Sequence, residues 1–305
     1  MEISRVEALS RELVESPVGQ PTKREQMISY YEGAGPDYFA WSRNYNMHFG
    51  YYAKGMNPFF LEPMLERLTL EVLRRLDVND LADCRIADFG CGLGASLRYC
   101  AKEFPNSTLQ GVTIVPWQVD QGNLICSSKG FGTRITITEA DYTRTMIPSN
   151  SLNGVFAIES GCYATGGAKS DLLREIYRVL QFGGKFVMAD GFLKHGAPLS
   201  GLLKVAYNKL CNSWALSELG NIEQVKDCIN GLGFKELTVE EISLNIAPSV
   251  AHVPFRVFSF LAKEFFFGKR KMTKERWDNL KSPLLTMVLG LARENFGYYL
   301  VSARK

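Results

Sequence analysis

An acidic residue followed by a glycine-rich turn is the stretch of this 305-residue chain best suited to hold a charged ligand. A short apolar run ends at Asp88, and glycines follow at alternate positions, Gly90, Gly92 and Gly94. Glycine tolerates positive φ angles and lets a ligand approach the backbone closely. The helical pattern that follows would present unpaired N–H groups in its first turn. These residues predict the strand, turn and helix that open a nucleotide-binding α/β fold.

The spacing of these glycines disfavours NAD as the ligand. Dinucleotide-binding proteins use G-x-G-x-x-G, and they carry an acid about 20 residues further on, at the tip of the second strand. Here the spacing is G-x-G-x-G, and the second predicted strand, residues 109–114, carries Thr113 at its tip. The turn therefore indicates another ligand or, as the alternative, a turn that binds nothing.

Alternating strand and helix patterns predict the elements that position this turn. Such alternation is typical of a mostly parallel sheet with helices on both faces. We predict an α/β, Rossmann-like fold with seven strands, at residues 85–89, 109–114, 133–139, 152–158, 185–189, 234–242 and 296–303. Polar residues recur where the first five strands end, at the sheet edge where ligands bind in such folds. They are Asp88, Thr113, Asp141, Glu159 and Asp190.

Two aromatic-rich segments flank the predicted core. Residues 27–52 crowd tyrosine, phenylalanine and tryptophan side chains together, and residues 243–295 contain many phenylalanines and the basic run 269–271. Ligand pockets are mostly apolar with a few placed polar groups, so we expect the two segments to form lids over the sheet edge. For residues 27–52 the alternative is a packed cap that contacts no ligand. The expected domains are a helical arm and aromatic cap, a core, a cap insertion and a final strand, at 1–77, 78–242, 243–295 and 296–305.

Bulk composition excludes several classes of protein. The formal net charge of +3 gives no basis for nucleic-acid binding. No apolar run reaches the roughly 18 residues needed to span a bilayer, so stable membrane insertion is not expected. Seven cysteines without a C-x-x-C pair suggest reduced thiols, neither a disulfide frame nor a zinc site. We expect a cytoplasmic enzyme, and the sequence leaves open whether it forms a homodimer.

Several stretches resemble one family, the class I S-adenosylmethionine (SAM) methyltransferases. The turn from Asp88 to Gly94 resembles the family's first motif. Residues 111–118 resemble the G-[VIL]-T-[LI]-S-x-x-Q segment of its cyclopropane-synthase, sterol and polyketide-tailoring branches, and residues 48–51 resemble their H-[FVI]-G-Y. Residues 175–184 are close to E-x-x-R-V-L-[KR]-P-G-G, with Phe182 in place of the proline. The likeness extends over roughly residues 27–245, and it implies an enzyme with SAM as cofactor.

The resemblance also implies roles for individual residues toward SAM. Asp88 and the glycine backbone would take the amino-acid end of the cofactor. Thr113 and Gln118 would replace the missing ribose-binding acid, and the pair that caps the adenine would be Asp141 and Tyr142. Two further residues, Tyr30 and Glu159, are also assigned to the cofactor side.

The stretch 159–163 bears on the methyl acceptor. It is similar to the E-[SA]-x-x-[YH] segment of sterol and prenyl-diphosphate C-methyltransferases, which methylate an alkene carbon and leave a carbocation. A carboxylate there can stabilise the cation and then accept the neighbouring proton, and aromatic rings add cation–π stabilisation. The residues expected to be catalytic are Glu159, Tyr163, His48 and Tyr45.

The sequence leaves the acceptor undecided. A prenyl diphosphate, such as geranyl or farnesyl diphosphate, would need cationic side chains for its phosphates and would bring Mg²⁺ with it. No metal site formed by the protein alone is expected. Methylation of such an acceptor could be coupled to its cyclisation. The expected substrate-binding residues are Tyr31, Trp41, Arg43, His252 and Arg256. A sterol, quinone or polyketide methylated on carbon or oxygen is the alternative, with a histidine removing the hydroxyl proton. A non-catalytic SAM-binding module is a remote third reading.

Overall fold

A computed structural model describes residues 21–78, 83–196 and 198–305, so most of the predicted N-terminal arm lies outside the described residues. Its centre is one mixed sheet in the spatial order β3-β2-β1-β4-β5-β8-β7, with the short β6 beside β5. The strands are β1 Arg85–Phe89, β2 Thr108–Thr113, β3 Ile135–Glu139, β4 Leu152–Ile158, β5 Leu180–Leu193, β6 Gly220–Asn221, β7 Lys235–Glu241 and β8 Phe296–Arg304. All strand pairs are parallel except those that β8 makes with β5 and β7.

Helices cover both faces of this sheet and form a cap over its carboxyl edge. They are α1 Lys23–Ala34, α2 Leu61–Leu76, α3 Ala95–Glu103, α4 Pro116–Ser128, α5 Ser170–Val179, α6 Gly201–Ser213, α7 Ile222–Gly231, α8 Ser243–Val250, α9 Val253–Phe267 and α10 Lys274–Leu291. A 3-10 helix, Gly35–Ala40, continues α1. The predicted α/β, Rossmann-like fold is confirmed, and α8, α9 and α10 fill the predicted insertion between β7 and β8.

Alternation along the strands divides the core into two layers. Ala87 and Phe89 of β1 pack with α5 and α7 on one face, while Ile86 packs against α2 on the other. Each of these side chains is fully buried. Since a parallel sheet buried on both faces fixes its register strongly, the strand ends that carry polar residues are held at one level.

The fifth strand is longer than the sequence suggested. The sequence predicts a strand over residues 185–189, whereas β5 runs from Leu180 to Leu193. Its pairing with β8 is continuous from Lys185 opposite Arg304 to Leu193 opposite Phe296. The antiparallel partner supplies hydrogen bonds well beyond the apolar run, and two glycines lie at an irregular start of the strand.

The cap is joined to the core by polar contacts as well as by apolar packing. Thr22 and Glu25 form a capping box at the start of α1. Arg276 of α10 is buried and pairs with Asp37 at 2.6 Å and with Glu264 at 2.9 Å. Within the described ranges, no helix is both long and apolar enough to cross a membrane.

Candidate active site

A cavity of about 300 Å³ opens where β1, β2 and β4 end beneath α1. We call it the cofactor cavity. Most of the side chains predicted to do chemistry line it, although they come from segments far apart in the chain. They are Tyr31, Tyr45, His48, Asp88, Gly90, Gly92, Thr113, Gln118, Asp141, Tyr142, Glu159 and Tyr163.

The glycine turn forms the floor of this cavity. The N–H groups of Gly90 and Cys91 both donate to the carbonyl of Val112, at 2.8 and 3.1 Å, which folds the turn over the end of β2. Gly90 has a φ of 87°, and a Cβ there would collide with Ser160. Gly94 lies outside the lining; it begins α3 at a φ of 72° and packs against Ile137.

Asp88 places a buried carboxylate against the cofactor cavity. Its side chain is 3% exposed, and it forms no hydrogen bond or ion pair within the described part of the chain. Burial raises its pKa well above the usual range, because the charged form loses water. A ligand with an ammonium group would supply the missing partner.

Thr113 and Gln118 meet as the sequence motif implies. The Thr113 hydroxyl donates to Gln118 Oε1 at 2.6 Å, and both residues are buried. This bond leaves the amide nitrogen of Gln118 close to the Met47 sulfur, at 3.9 Å, beside the cavity. The pair presents neutral polar groups where dinucleotide-binding proteins have an acid.

The far end of the cavity combines a carboxylate with an aromatic ring. Asp141 accepts hydrogen bonds from the backbone N–H and hydroxyl of Thr143, at 2.8 and 2.7 Å. The Tyr142 hydroxyl donates to the Ser160 carbonyl at 2.7 Å, and its ring stacks on Phe89 with 6.3 Å between ring centroids. This arrangement offers an apolar wall and a polar acceptor, which suits a heteroaromatic ring.

A second cavity, of about 90 Å³, lies beneath the cap, and we call it the acceptor cavity. It is mostly apolar. Its walls are Tyr38, Ala40, Trp41, Phe49, Trp214, Val253, Val257, Phe260, Leu280 and Pro283, with Asp37, Arg256 and Asn279 as polar members. Met47, His48 and Glu159 line both cavities, so these three residues mark the junction between them.

Glu159 is held rigidly at this junction. One carboxylate oxygen accepts from the Phe49 N–H at 2.8 Å and from the Tyr298 hydroxyl at 2.9 Å. Its backbone has a φ of 48°, a conformation that glutamate adopts only where its surroundings impose it. Burial raises its pKa to about 8, and the nearby charge of Asp190 adds to the shift, while the two hydrogen bonds oppose it.

His48 presents an unprotonated nitrogen to the same junction. Its Nδ1 lies 2.7 Å from the carbonyl of Phe49, and because a carbonyl only accepts, Nδ1 carries the proton. The buried Nε2 has no hydrogen-bond partner within the described residues. Burial lowers the pKa of His48 to about 4, so its ring is neutral near pH 7.

Tyrosines form a wall of the cofactor cavity. The hydroxyls of Tyr31 and Tyr163 share a hydrogen bond of 2.9 Å, and Tyr38 stacks near Tyr31 with ring centroids 6.4 Å apart. Tyr45 also lines the cavity and has a φ of 60°. These rings would surround a positive charge that developed near Glu159.

The loop after Glu159 is held by two charged side chains, Lys169 and Asp190. The sequence analysis did not list either among the site residues. Lys169 is 1% exposed, and its ammonium donates to the carbonyls of Cys162, Ala164 and Glu218 at 3.2, 2.6 and 2.9 Å. Asp190 accepts from the Cys162 N–H at 2.8 Å. Lysine is usually exposed, so the residue type did not predict a buried role for Lys169. The sequence indicated Asp190 only as a polar residue at the end of a strand.

Besides Gly94, three predicted site residues lie outside both cavities. Tyr30 packs on α1 against α10, and its hydroxyl donates to Asn279 at 2.9 Å, so it does not line the cofactor cavity to which it was assigned. Arg43 is exposed on the surface. His252 bonds the carbonyl of Pro58 at 2.7 Å. An aromatic or basic residue in a cap segment faces the site only if the fold turns it inward. The spacing of these residues in the sequence did not predict which of them do so.

Two of the five predicted substrate-binding residues, Trp41 and Arg256, reach the acceptor cavity. Trp41 lines it and donates its indole N–H to the His48 carbonyl at 3.1 Å. Arg256 lines it too; one of its nitrogens donates to the Ala40 carbonyl at 3.2 Å, while its Nε is buried without a partner within the described residues. Tyr31, by contrast, lines the cofactor cavity.

Comparison with known proteins agrees with this arrangement. The family described as "Methyltransferase domain" matches residues 86–184, which include the glycine turn, Thr113, Gln118 and Glu159. This chain is a SAM-dependent methyltransferase. Its cofactor is SAM, and it resembles the sterol and prenyl-diphosphate branch of the class I enzymes.

Individual relatives of this methyltransferase are distant. Methyltransferase GfsG of Streptomyces halstedii is 24% identical over 207 residues, which cover 67% of this chain and 71% of the relative. Cycloartenol-C-24-methyltransferase of Arabidopsis thaliana is 33% identical over 113 residues, 35% of this chain and 33% of the relative. The solved geranyl diphosphate C-methyltransferase from Streptomyces coelicolor A3(2) has a TM-score of 0.69 at 16% identity, covering 94% of this chain and 99% of that one. At that identity the structural likeness concerns the fold.

Proposed function

We propose that this methyltransferase transfers the SAM methyl group to an alkene carbon of a small isoprenoid acceptor. SAM would lie in the cofactor cavity and the acceptor in the cavity beneath the cap. The observation that carries the proposal is the position of Glu159, a buried carboxylate that lines both cavities and is held by the Phe49 N–H and the Tyr298 hydroxyl.

The cofactor cavity offers a partner for each part of SAM. Asp88 would pair with its ammonium group, and the glycine turn would leave room for the amino-acid chain. The hydroxyl and amide groups of Thr113 and Gln118 would contact the ribose. Asp141 would accept from the exocyclic amine of adenine, whose ring would pack against Tyr142.

The reaction needs one base and no further activation of the methyl group. The alkene π electrons attack the methyl carbon, the carbon–sulfur bond breaks toward sulfur, and a tertiary carbocation remains on the acceptor. Glu159 then accepts a proton from the neighbouring carbon, and the C–H electrons restore a double bond. The sulfonium charge of SAM favours the carboxylate form of Glu159, which burial alone disfavours.

The surroundings of Glu159 suit a cationic intermediate. The rings of Tyr31 and Tyr163 would stabilise positive charge through cation–π interaction. Apolar residues of the cap, such as Trp41 and Phe260, would keep water from quenching the cation. A non-catalytic SAM-binding module would need neither a buried carboxylate at the junction nor a second cavity.

Arg256 suggests how the acceptor is oriented. It is the one arginine or lysine that lines the acceptor cavity among the described residues, and its Nε is buried without a partner. We propose an acceptor with an apolar chain near Glu159 and a polar or anionic head at Arg256. Geranyl and farnesyl diphosphate meet that description, and Mg²⁺ would share the diphosphate charge.

A second candidate function rests on His48. Its unprotonated Nε2 lines both cavities and could accept the proton of an acceptor hydroxyl, which would give O-methylation of a quinone, sterol or polyketide. The two functions use different bases at the same junction, so they predict different sensitive residues and different products.

Incubation with SAM, Mg²⁺ and a panel of acceptors separates the two. The panel contains geranyl, farnesyl and isopentenyl diphosphates together with a sterol, a quinone and a hydroxylated polyketide, and products are analysed by mass. We expect a methyl group to be added to an isoprenoid diphosphate. Methylation of a hydroxylated acceptor alone would contradict the isoprenoid proposal and favour His48 as base. Calorimetry on the same preparation shows whether the protein is folded and binds SAM.

A further inference from the structure

Helix α9 is apolar on two opposite faces. One face lines the acceptor cavity through Val253, Arg256, Val257 and Phe260, at the spacing of a helical stripe. The other face carries phenylalanines at the same spacing that point away from the protein. Their exposed fractions are 67% for Phe255, 73% for Phe258, 85% for Phe265 and 71% for Phe266. A helix with two apolar faces normally buries both, and nothing in the described chain covers the outer one.

Neighbouring residues extend this apolar surface. Phe267 is 77% exposed and its ring contacts that of Phe266, with 6.3 Å between centroids. In the loop before α2, Phe59 and Phe60 are 83% and 61% exposed. The bond of 2.7 Å between His252 and the Pro58 carbonyl ties that loop to the start of α9. We call the seven residues the phenylalanine face: Phe59, Phe60, Phe255, Phe258, Phe265, Phe266 and Phe267.

Basic residues border the phenylalanine face. Lys263, Lys269 and Lys271 are exposed and form no ion pair with any described residue. Arg270 between them pairs with Asp37 at 2.9 Å and donates to the Gly33 carbonyl at 2.7 Å, which anchors the basic run to the cap. Positive charge therefore lies at the edge of a large exposed apolar surface.

We propose that the phenylalanine face docks this enzyme on the surface of a membrane that contains anionic lipids. Helices that lie in the membrane interface combine exposed aromatic residues with basic ones, because the rings enter the acyl boundary while the lysines meet anionic headgroups. A second copy of the chain is less well matched, since a twofold contact would bring the same lysines together. An exposed apolar surface of this size needs an occupant, and lipid matches both its rings and its charge.

Docking here would connect the membrane to the acceptor cavity. The inner face of α9 lines that cavity, so only the width of this helix would separate an acceptor dissolved in the lipid from the cavity that contains Glu159. This delivery role rests on the proposed function, whereas the docking itself does not depend on which acceptor is methylated.

The test measures co-sedimentation of the full chain with vesicles. One set contains phosphatidylcholine only, and the other contains equal parts of phosphatidylcholine and phosphatidylglycerol. The variants are F258S/F266S, K269E/K271E and, as a matched control, F182S, which removes a phenylalanine that is 81% exposed at the start of β5. SAM affinity, measured on each variant, reports folding and does not depend on vesicles.

We expect binding to the anionic vesicles that weakens with added salt. F258S/F266S should lower the partition coefficient by about tenfold for each phenylalanine withdrawn, since burying one such ring in an apolar phase changes affinity on that scale. K269E/K271E should abolish the preference for anionic vesicles, and F182S should bind like the unmodified protein. Absence of vesicle binding by a SAM-binding full chain, or unchanged binding by F258S/F266S, would overturn the proposal. So would a dimer that F258S/F266S converts to monomer while the unmodified chain ignores vesicles.

Discussion

The two cavities are built in different ways. The cofactor cavity lies at the ends of β1, β2 and β4, and short contiguous motifs supply its polar groups: Thr113 and Gln118 are five residues apart, and their side chains bond directly. The acceptor cavity is assembled from the 3-10 helix and from α9 and α10. Arg256 of α9 contacts Ala40 of the 3-10 helix across 216 residues of the chain. The sheet register therefore fixes cofactor binding, while acceptor choice depends on how distant cap segments pack, and Glu159 belongs to both.

The largest effect should follow Glu159→Gln, which removes the proposed base and keeps the shape of the junction. We expect kcat to fall by about 10²–10⁴, the usual contribution of a general base, while the Kd of SAM changes by less than about threefold. Stopped assays analysed by mass and calorimetry with SAM measure the two quantities. If His48→Gln instead causes that loss and Glu159→Gln does not, the base is His48 and the C-methylation proposal fails.

A change confined to the cofactor cavity should weaken SAM binding. Asp88→Asn keeps size and removes the charge that would pair with the cofactor's ammonium group, so we expect the Kd of SAM to rise by about 10–100-fold, in line with a hydrogen bond to a charged group. Calorimetry measures it. The matched control is Asp227→Asn, at an exposed position of α7 outside both cavities, and equal effects of the two would show that the loss is not specific to Asp88.

Stability should depend on Lys169, which supports the loop after Glu159. Lys169→Met leaves two buried carbonyls and one half-buried carbonyl without this donor, so we expect the free energy of unfolding to fall by about 2–4 kcal/mol. Lys226→Met, which removes an exposed ion pair with Glu223, should change it by less than about 1 kcal/mol. Urea unfolding measures both, and similar values for the two variants would contradict the structural role.

Acceptor binding should depend on Arg256 without any change in SAM affinity. We expect Arg256→Met to raise the KM for an anionic acceptor about tenfold, since a charge-assisted hydrogen bond is lost. Arg43→Met, at an exposed position outside both cavities, is the control and should leave KM unchanged. A larger effect of Arg43 would place the acceptor head elsewhere.

SAM affinity should also vary with pH through Glu159. Burial raises the pKa of this residue to about 8 in the free enzyme, and the SAM charge favours its deprotonated form, so binding releases a proton. Affinity should therefore rise severalfold as the pH passes through about 8 and then level off, whereas at about pH 7, where most of the Glu159 in the free enzyme is already neutral, Glu159→Gln should change the Kd of SAM little. The same raised pKa stabilises the folded protein at low pH, so unfolding free energy relative to Glu159→Gln should fall as pH rises from about 5 to about 8. If Glu159→Gln shows the same pH profile as the unmodified enzyme, the shift belongs to another group.

The contrast between the cavities also explains what sequence could predict. The strands, the glycine turn and the Thr113–Gln118 pair follow from local patterns. Tyr298, which donates to Glu159, lies 139 residues away in the chain on the last strand, and no local signal links the two. Tyr30 and Tyr31 are adjacent in sequence, yet only Tyr31 lines a cavity, because successive helical residues point in different directions. The expected domain boundaries remain a prediction.

The most direct test of the central claim uses SAM with a deuterated methyl group and an isoprenoid acceptor from the panel. If Glu159 completes a C-methylation, the product carries all three deuterons on a new carbon-bound methyl group, has lost one proton from the neighbouring carbon, and shows a double bond there by NMR. A methyl group bound to oxygen, with the original alkene intact, would contradict the account.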